Sequence, residues 1–345
     1  MRTRAGVVER MRAGVVERMR AGVVARAGVV ALVLAAALGG CSSPPEVPGA
    51  ADAAPVQPKP AGVQDPAPEP SGSASAATCD PLLSLRPGAL PPAGAPPAGS
   101  SMAAIVQRGN LIVGVSQNTY LFGHRDPVTG QLVGFEVDLA REIARALFGD
   151  PNRVIFRAMT AAERIPALQN GGVDLVVRAM TMTCERWQQI SFSTEYYTGA
   201  QRLLVPVDSP FRSIDDMGGK KVCAAAGSTN ITAIQQARSN PVAVAAPDAL
   251  DCMVLLQQGQ IDAVSSDDAI LAGFAAQDPS TKVVGPGFAA APYGIGIKKE
   301  SADLVRYVNG VLDQVRANGT WTAIYNRWLT TLGPAPAPPP ARYQA

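Results

Sequence analysis

The chain of 345 residues holds one histidine, His124, and its five cysteines form no Cys-x-x-Cys pair. Structural zinc sites draw on such residues, so no metal is expected, and no motif calls for another cofactor. A basic surface is missing too. Residues 1–40 carry seven Arg and two Glu, a net of +5; the whole chain is +2, which leaves −3 beyond residue 40. That balance argues against nucleic acid as a partner. Long apolar runs are also absent. The run Val29 to Leu38 is shorter than the roughly 20 residues that a spanning helix needs, so a transmembrane anchor is not expected.

What the N-terminus does contain is an export signal. Arg20 and Arg26 precede the apolar run, and small residues lead to Cys41. Leu38-Gly39-Gly40-Cys41 resembles a bacterial lipobox, which implies lipidation of Cys41 and attachment to the outer face of the cell membrane. The octapeptide MRAGVVER recurs almost unchanged, placing Met11 and Met19 in equivalent positions. It is too short to read as a solenoid repeat, and a signal starting at Met19 would already be complete.

Residues 42–100 are rich in Pro, Ala, Gly and Ser and poor in large apolar groups. Such a stretch buries too little surface to offset its ordering entropy, so a tether over 41–100 is expected. Cys79-Asp80-Pro81-Leu82-Leu83 interrupts it and suggests a pin to the folded part. Setting Cys41 aside leaves Cys79, Cys184, Cys223 and Cys252, an even number in an exported chain. Three pairings are possible. Cys79–Cys184 with Cys223–Cys252 is the expected one, since the second pair lies within one compact segment.

From about Ser101 to Leu332, strand and helix patterns alternate. Expected strands are Asn110 to Val115, Gln131 to Phe135, Arg153 to Arg157, Asp174 to Val177, Arg202 to Pro206, Lys221 to Ala225, Val242 to Ala245, Ile261 to Ser265 and Tyr293 to Ile297. Expected helices are Asp138 to Leu147, Ala162 to Asn170, Ile231 to Arg238, Asp248 to Gln258, Ser301 to Asn318 and Thr320 to Leu332. Pro334 to Pro340 should end the fold. Val173 to Ser193 stands out within this pattern. A buried strand there runs into Ala179, Thr181 and Thr183, and Cys184-Glu185-Arg186 opens a short helix. Hydroxyls donate and accept, and an arginine fork matches a carboxylate, so this is a candidate anion-binding edge.

Three segments together resemble the amino-acid-binding branch (family 3) of bacterial extracytoplasmic solute-binding proteins. They are Gly134-Phe135-Glu136-Val137-Asp138-Leu139, then Thr181-x-Thr183-x-Glu185-Arg186 with Phe192-Ser193, and Asn318-Gly319-Thr320-Trp321-x-x-Ile324-Tyr325-x-x-Trp328-Leu329. The Pro-rich tether, the four further cysteines and the GPAPAP end resemble those of actinobacterial glutamine- and glutamate-binding lipoproteins of ABC transporters. The resemblance implies an α/β fold of type II. Two clam-shell lobes, each a mostly parallel sheet flanked by helices, are joined by two hinge strands. It places lobe one at 101–195 and 295–332, lobe two at 201–290 and a Pro-rich tail at 333–345. The hinge strands fall near Tyr196 to Ala200 and Ala291 to Gly294.

The resemblance also implies a ligand set. Arg186 and the backbone N–H groups of Ser228 and Thr229 match the family's α-carboxylate site, and a helix N-terminus favours an anion on its own account. Asp267 matches its amine-binding aspartate, and the Ala179 carbonyl and the Thr181 hydroxyl would complete the ammonium's partners. Glu163 to Gly171 resembles the segment by which glutamate/aspartate receptors aim an arginine, here Arg164, at the side-chain carboxylate. Arg178 is a second candidate cation. Ser116 and Ala225 depart from the family, which often has charged groups there. The expectation is a monomeric receptor for L-glutamate or L-aspartate, with asparagine or glutamine as further ligands, delivering to an ABC permease. A sensor acting on a membrane signalling partner is the alternative. An enzyme such as a dehydratase would need a cleft carboxylate free for acid–base work; Asp267 is the only obvious one, and it is assigned to the ammonium.

Overall fold

A computed structural model describes residues 57–68 and 79–344. The described residues from Lys59 onward form one unit. The expected signal segment and Cys41 lie outside the described residues. Helix α1 (Ser101–Arg108) leads into β1 (Leu111–Val115), and a small meander follows of β2 (Asn118–Thr119), β3 (Gly123–Arg125) and β4 (Leu132–Val133). Next come α2 (Phe135–Phe148), β5 (Val154–Ala158), α3 (Arg164–Gln169), β6 (Leu175–Val176), α4 (Cys184–Gln189) and β7 (Ile190–Phe192). The long β8 (Tyr197–Pro206) crosses into a second run of β9 (Lys221–Ala225), α5 (Thr229–Gln235), β10 (Val242–Ala246), α6 (Ala249–Gln257), β11 (Ala263–Asp267) and α7 (Asp268–Gln277). The chain returns along β12 (Thr281–Tyr293) to β13 (Gly296–Lys298), α8 (Ala302–Ala317) and α9 (Thr320–Trp328).

Two five-stranded sheets result, in the orders β5-β1-β6-β13-β7 and β10-β9-β11-β8-β12. The strands of each βαβ run are parallel: β1 with β5 and β6, and β9 with β10 and β11. The strands that carry the chain across and back are antiparallel to their neighbours. Each sheet has its own core. In the first lobe, Phe135, Leu139, Ile143 and Leu147 recur every four residues on α2 and are all buried. Gly149, left-handed at φ 76°, closes that helix. Gly134 enters it at φ 135°, where a Cβ would sit 2.3 Å from the Phe122 carbonyl oxygen, so only glycine fits. In the second lobe, Cys223 and Cys252 are fully buried among Leu204, Val244, Leu255 and Phe274. Both expected disulfides are formed, Cys79–Cys184 and Cys223–Cys252, with Cα separations of 5.8 and 5.6 Å.

Some elements differ from expectation. The strand read over Tyr293 to Ile297 is the junction of two strands, with β12 ending at Tyr293 and β13 starting at Gly296. Most of β12 was not legible, because Gly285-Pro286-Gly287 reads as a turn; the sheet absorbs it as a register shift between Val284 and Ala289. Parts of the expected tether lie against the fold. Gln64 pairs with Ala245 in both directions at 2.8 and 2.9 Å, and Ala67 N–H donates to Ala243 O at 2.7 Å, which extends the edge of the second sheet. Asp65 meets Lys59 and Lys221. Ser84 is fully buried, donating to Phe192 O and accepting from Asn309. The tail returns as well, with Gln344 N–H donating to Ser84 O at 2.8 Å. Extended Pro-rich backbone suits this role, because its unpaired groups can join an existing edge. Among the described residues no helix is long and apolar enough to cross a membrane.

Candidate functional site

The two lobes meet along a line of polar contacts drawn from the ends of β6, β9 and β11. Arg164 opens α3 on the first lobe and is 2% exposed. Its Nε donates to Ala161 O at 2.9 Å, and Nη1 donates to Arg178 O and Ala179 O at 3.2 and 3.1 Å. Its Nη2 crosses to Gly227 O of the second lobe at 3.3 Å. Arg186, on α4, is held in the same way. Nη1 donates to Thr181 O at 2.8 Å and Nη2 to Gly227 O at 3.2 Å. Two guanidinium groups therefore flank one carbonyl oxygen. Gly227 is required at this approach, since at φ 70° a Cβ would lie 2.7 Å from Ala162 Cα.

Neither Arg164 nor Arg186 forms an ion pair among the described residues, though both are buried. Desolvation, then the charges of Arg186 and Arg178, pushes the Arg164 pKa well down. Burial lowers Arg186 to about 10. Asp267, at the end of β11, is 2% exposed. It accepts from Asn230 Nδ2 at 2.7 Å and from the Tyr293 hydroxyl at 2.6 Å. Burial raises its pKa, while those two bonds and the charge of Arg164 oppose the rise. Arg186 also feels its charge, so the three residues share one electrostatic environment. The side chain of Asp267 makes no capping bond to α7; Asp268 takes that role by accepting from Ala269 N at 2.8 Å.

The remaining candidates fall into two groups. Thr181 faces Thr229 across the lobes, with 3.2 Å between hydroxyl oxygens. Ala179 has φ 38°, strained for a residue with a Cβ, and its N–H donates to Glu136 Oε1 at 2.5 Å. Both belong to the cluster. Ser228 is turned inward, with its N–H and hydroxyl both donating to Ala225 O. Thr229 N–H, at the first position of α5, has no acceptor within its helix. Ser116 is committed to its own loop, accepting from Thr119 Oγ1 and Asn118 N–H. Arg178 is neither in solvent nor free: Nε donates to Met159 O at 2.6 Å, and Nη2 pairs with Asp248 Oδ2 of the second lobe at 3.0 Å. A cavity of about 500 Å³ opens beside Arg186, lined in part by Thr181, Gly227, Ser228 and Thr229. Arg164 and Asp267 do not line it.

Glu136, Tyr196, Asn230, Asp248 and Tyr293 were not legible as parts of the cluster. An acid in the first turn of a helix, such as Glu136, reads as a favourable dipole contact. It is fully buried instead, and burial raises its pKa.

Two α/β lobes joined by paired crossing strands, with two buried guanidinium groups at their interface that form no ion pair among the described residues, define a clam-shell ligand-binding protein. The family model for bacterial extracellular solute-binding proteins, family 3, matches residues 111–331, and the chain belongs to that family. It is 34% identical over 230 residues to the ABC transporter glutamine-binding protein GlnH of Bacillus subtilis (strain 168), covering 66% of this chain and 84% of that one. It is 26% identical over 254 residues to an L-glutamate/L-aspartate-binding protein of Pseudomonas aeruginosa, covering 69% and 82%. Among solved structures, an ancestral arginine-binding protein bound to glutamine superposes with a TM-score of 0.60 at 33% identity, covering 64% of this chain and 98% of that one.

Proposed function

We propose that the protein is the receptor of an ABC importer and binds a compact acidic amino acid, L-glutamate or L-aspartate, between its lobes. One observation carries this reading. Arg164 and Arg186 are buried without a carboxylate partner among the described residues and share a single carbonyl oxygen. A neutral carbonyl answers two desolvated cations poorly, whereas carboxylates offer full charge and bidentate geometry. Because the guanidinium groups flank one atom, the two carboxylates of the ligand must be only a few bonds apart. In this reading Arg186 and the Thr229 N–H take the α-carboxylate, and Arg164 takes the side-chain carboxylate. Asp267, Ala179 O and Thr181 Oγ1 take the ammonium. Arg164 leaves the Ala179 and Gly227 carbonyls as the ligand enters. Relatives that bind glutamine or glutamate and aspartate by name support the amino-acid class. A lipid on Cys41 holds the receptor to the outer face of the cell membrane, with the lobes at 101–195 plus 295–332 and at 201–290.

Calorimetry with glutamate, aspartate, asparagine and glutamine tests the reading. The acids bind best, at affinities worth about 8 kcal/mol if micromolar. Arg164→Ala lowers acid affinity about tenfold more than amide affinity, because an amide loses a hydrogen bond to the guanidinium but no ion pair. Preference of the unmodified protein for an uncharged aliphatic amino acid would sink the assignment.

A further inference from the structure

Each of the two crossing segments contributes a fully buried tyrosine, Tyr196 and Tyr293. Tyr196 N–H donates to Tyr293 O at 2.8 Å, and the two rings lie 6.0 Å apart between centroids. The Tyr196 hydroxyl donates to Glu136 Oε1 at 2.5 Å, the same oxygen that accepts from Ala179 N–H. Glu136 Oε2 has no hydrogen-bond partner among the described residues. The Tyr293 hydroxyl donates to Asp267 Oδ2, while Asn230 holds Oδ1. Tyr293 also faces Thr181 in an antiparallel bridge.

We propose that Tyr196 and Tyr293 are positioning residues for the ammonium end of the ligand. Tyr293 aims the Asp267 carboxylate; Tyr196, through Glu136, fixes the Ala179 carbonyl. This inference rests on the amino-acid reading of the cleft. A carboxylate with one donor on each oxygen cannot rotate, so its remaining lone pairs point in set directions. The left-handed backbone at Ala179 is held by Glu136 on its N–H, and that hold remains when Arg164 leaves the Ala179 oxygen for the ligand. Such strain persists only where the surroundings over-determine it. Two of the three acceptors of the ammonium, Asp267 and the Ala179 carbonyl, thus depend on hydroxyls carried by the crossing segments.

Buried tyrosines need a partner for packing reasons alone, so the test must read more than stability. Affinities of L-glutamate and glutarate, and of L-aspartate and succinate, are compared for the unmodified protein, Tyr293→Phe and Tyr196→Phe. Each pair differs only in the ammonium. In Tyr293→Phe the preference for the amino acid over its amine-free partner falls about tenfold, as for a lost bond to a charged group. Tyr196→Phe falls in the same direction, and it carries the test should Tyr293→Phe not fold. The pH profile supplies a second readout. Asp267 is faced by Asp268, by Tyr197 and Tyr293 of the crossing strands, and by Arg164 and Arg186 of the first lobe. Ammonium binding needs the ionised carboxylate. Removing the Tyr293 hydroxyl removes a stabilising bond to that form, so binding is lost at a higher pH on acidification. Equal weakening of both members of each pair, with an unshifted acid limb, overturns the inference. Failure of the unmodified protein to bind any of the amino acids overturns the reading of the cleft, and is visible before any variant is made.

Discussion

Replacing Arg186 with alanine weakens glutamate, aspartate, asparagine and glutamine alike, by about 100-fold or more, while the ligand-free protein melts no lower than before. The first half follows from what all four ligands share. Each carries an α-carboxylate, and burying it without its arginine leaves an unpaired charge, at about 2–5 kcal/mol. The second half follows from what Arg186 lacks. In the structure its guanidinium is buried against two carbonyl oxygens and forms no ion pair among the described residues. A buried cation without a counter-charge opposes folding, so its removal offsets the loss of two hydrogen bonds. Calorimetry and thermal melts check both halves. Retention of binding by any of the four, or a marked drop in melting temperature, would show Arg186 to be a structural group.

The contrast between binding and stability explains which parts of the molecule could be read from sequence. Regular elements could, because their cause is local. α2 follows from apolar residues at helical spacing, and β9 came out at Lys221–Ala225 as expected. Arg186 and Asp267 could be picked out because the resemblance names those positions. Whatever depends on an encounter between distant segments could not. Arg178 looked like a free cation until the fold brought Asp248 to it from 70 residues away. Glu136 sits on a helix whose pattern explains its neighbours, and only the tertiary fold places Ala179 and Tyr196 on its oxygen. The Pro-rich stretch at 59–68 has no periodicity to announce a strand. Its pairing exists because β10 offers an open edge beside it.

Arg178 and Asp248 lead to a second large effect. Asp248→Ala should weaken every ligand by a similar factor, about 30- to 100-fold, and leave the order of preference among them unchanged. The pair joins the lobes, with side chains only 9% and 15% exposed. Removing the carboxylate leaves Arg178 buried and unpaired whenever the lobes are closed, at several kcal/mol. The molecule has an escape that a core mutant lacks, because parting the lobes returns Arg178 to water. The penalty therefore appears as a shift toward the open form and not as global unfolding, and any ligand that needs closure is taxed equally. Asp248 has a second role: it caps α6 by accepting from Leu250 N–H and forms a capping box with Asp251. That loss costs about 1 kcal/mol of stability. Asp248→Asn, which keeps a capping oxygen, separates the two roles. Adding Arg178→Met to Asp248→Ala should restore closure, since an apolar pair avoids the stranded charge. Calorimetry with the four amino acids and the radius of gyration at saturating ligand give the answer. A loss confined to glutamate and aspartate would place Arg178 on the ligand's own carboxylate, and the closing role assigned to the pair would be wrong.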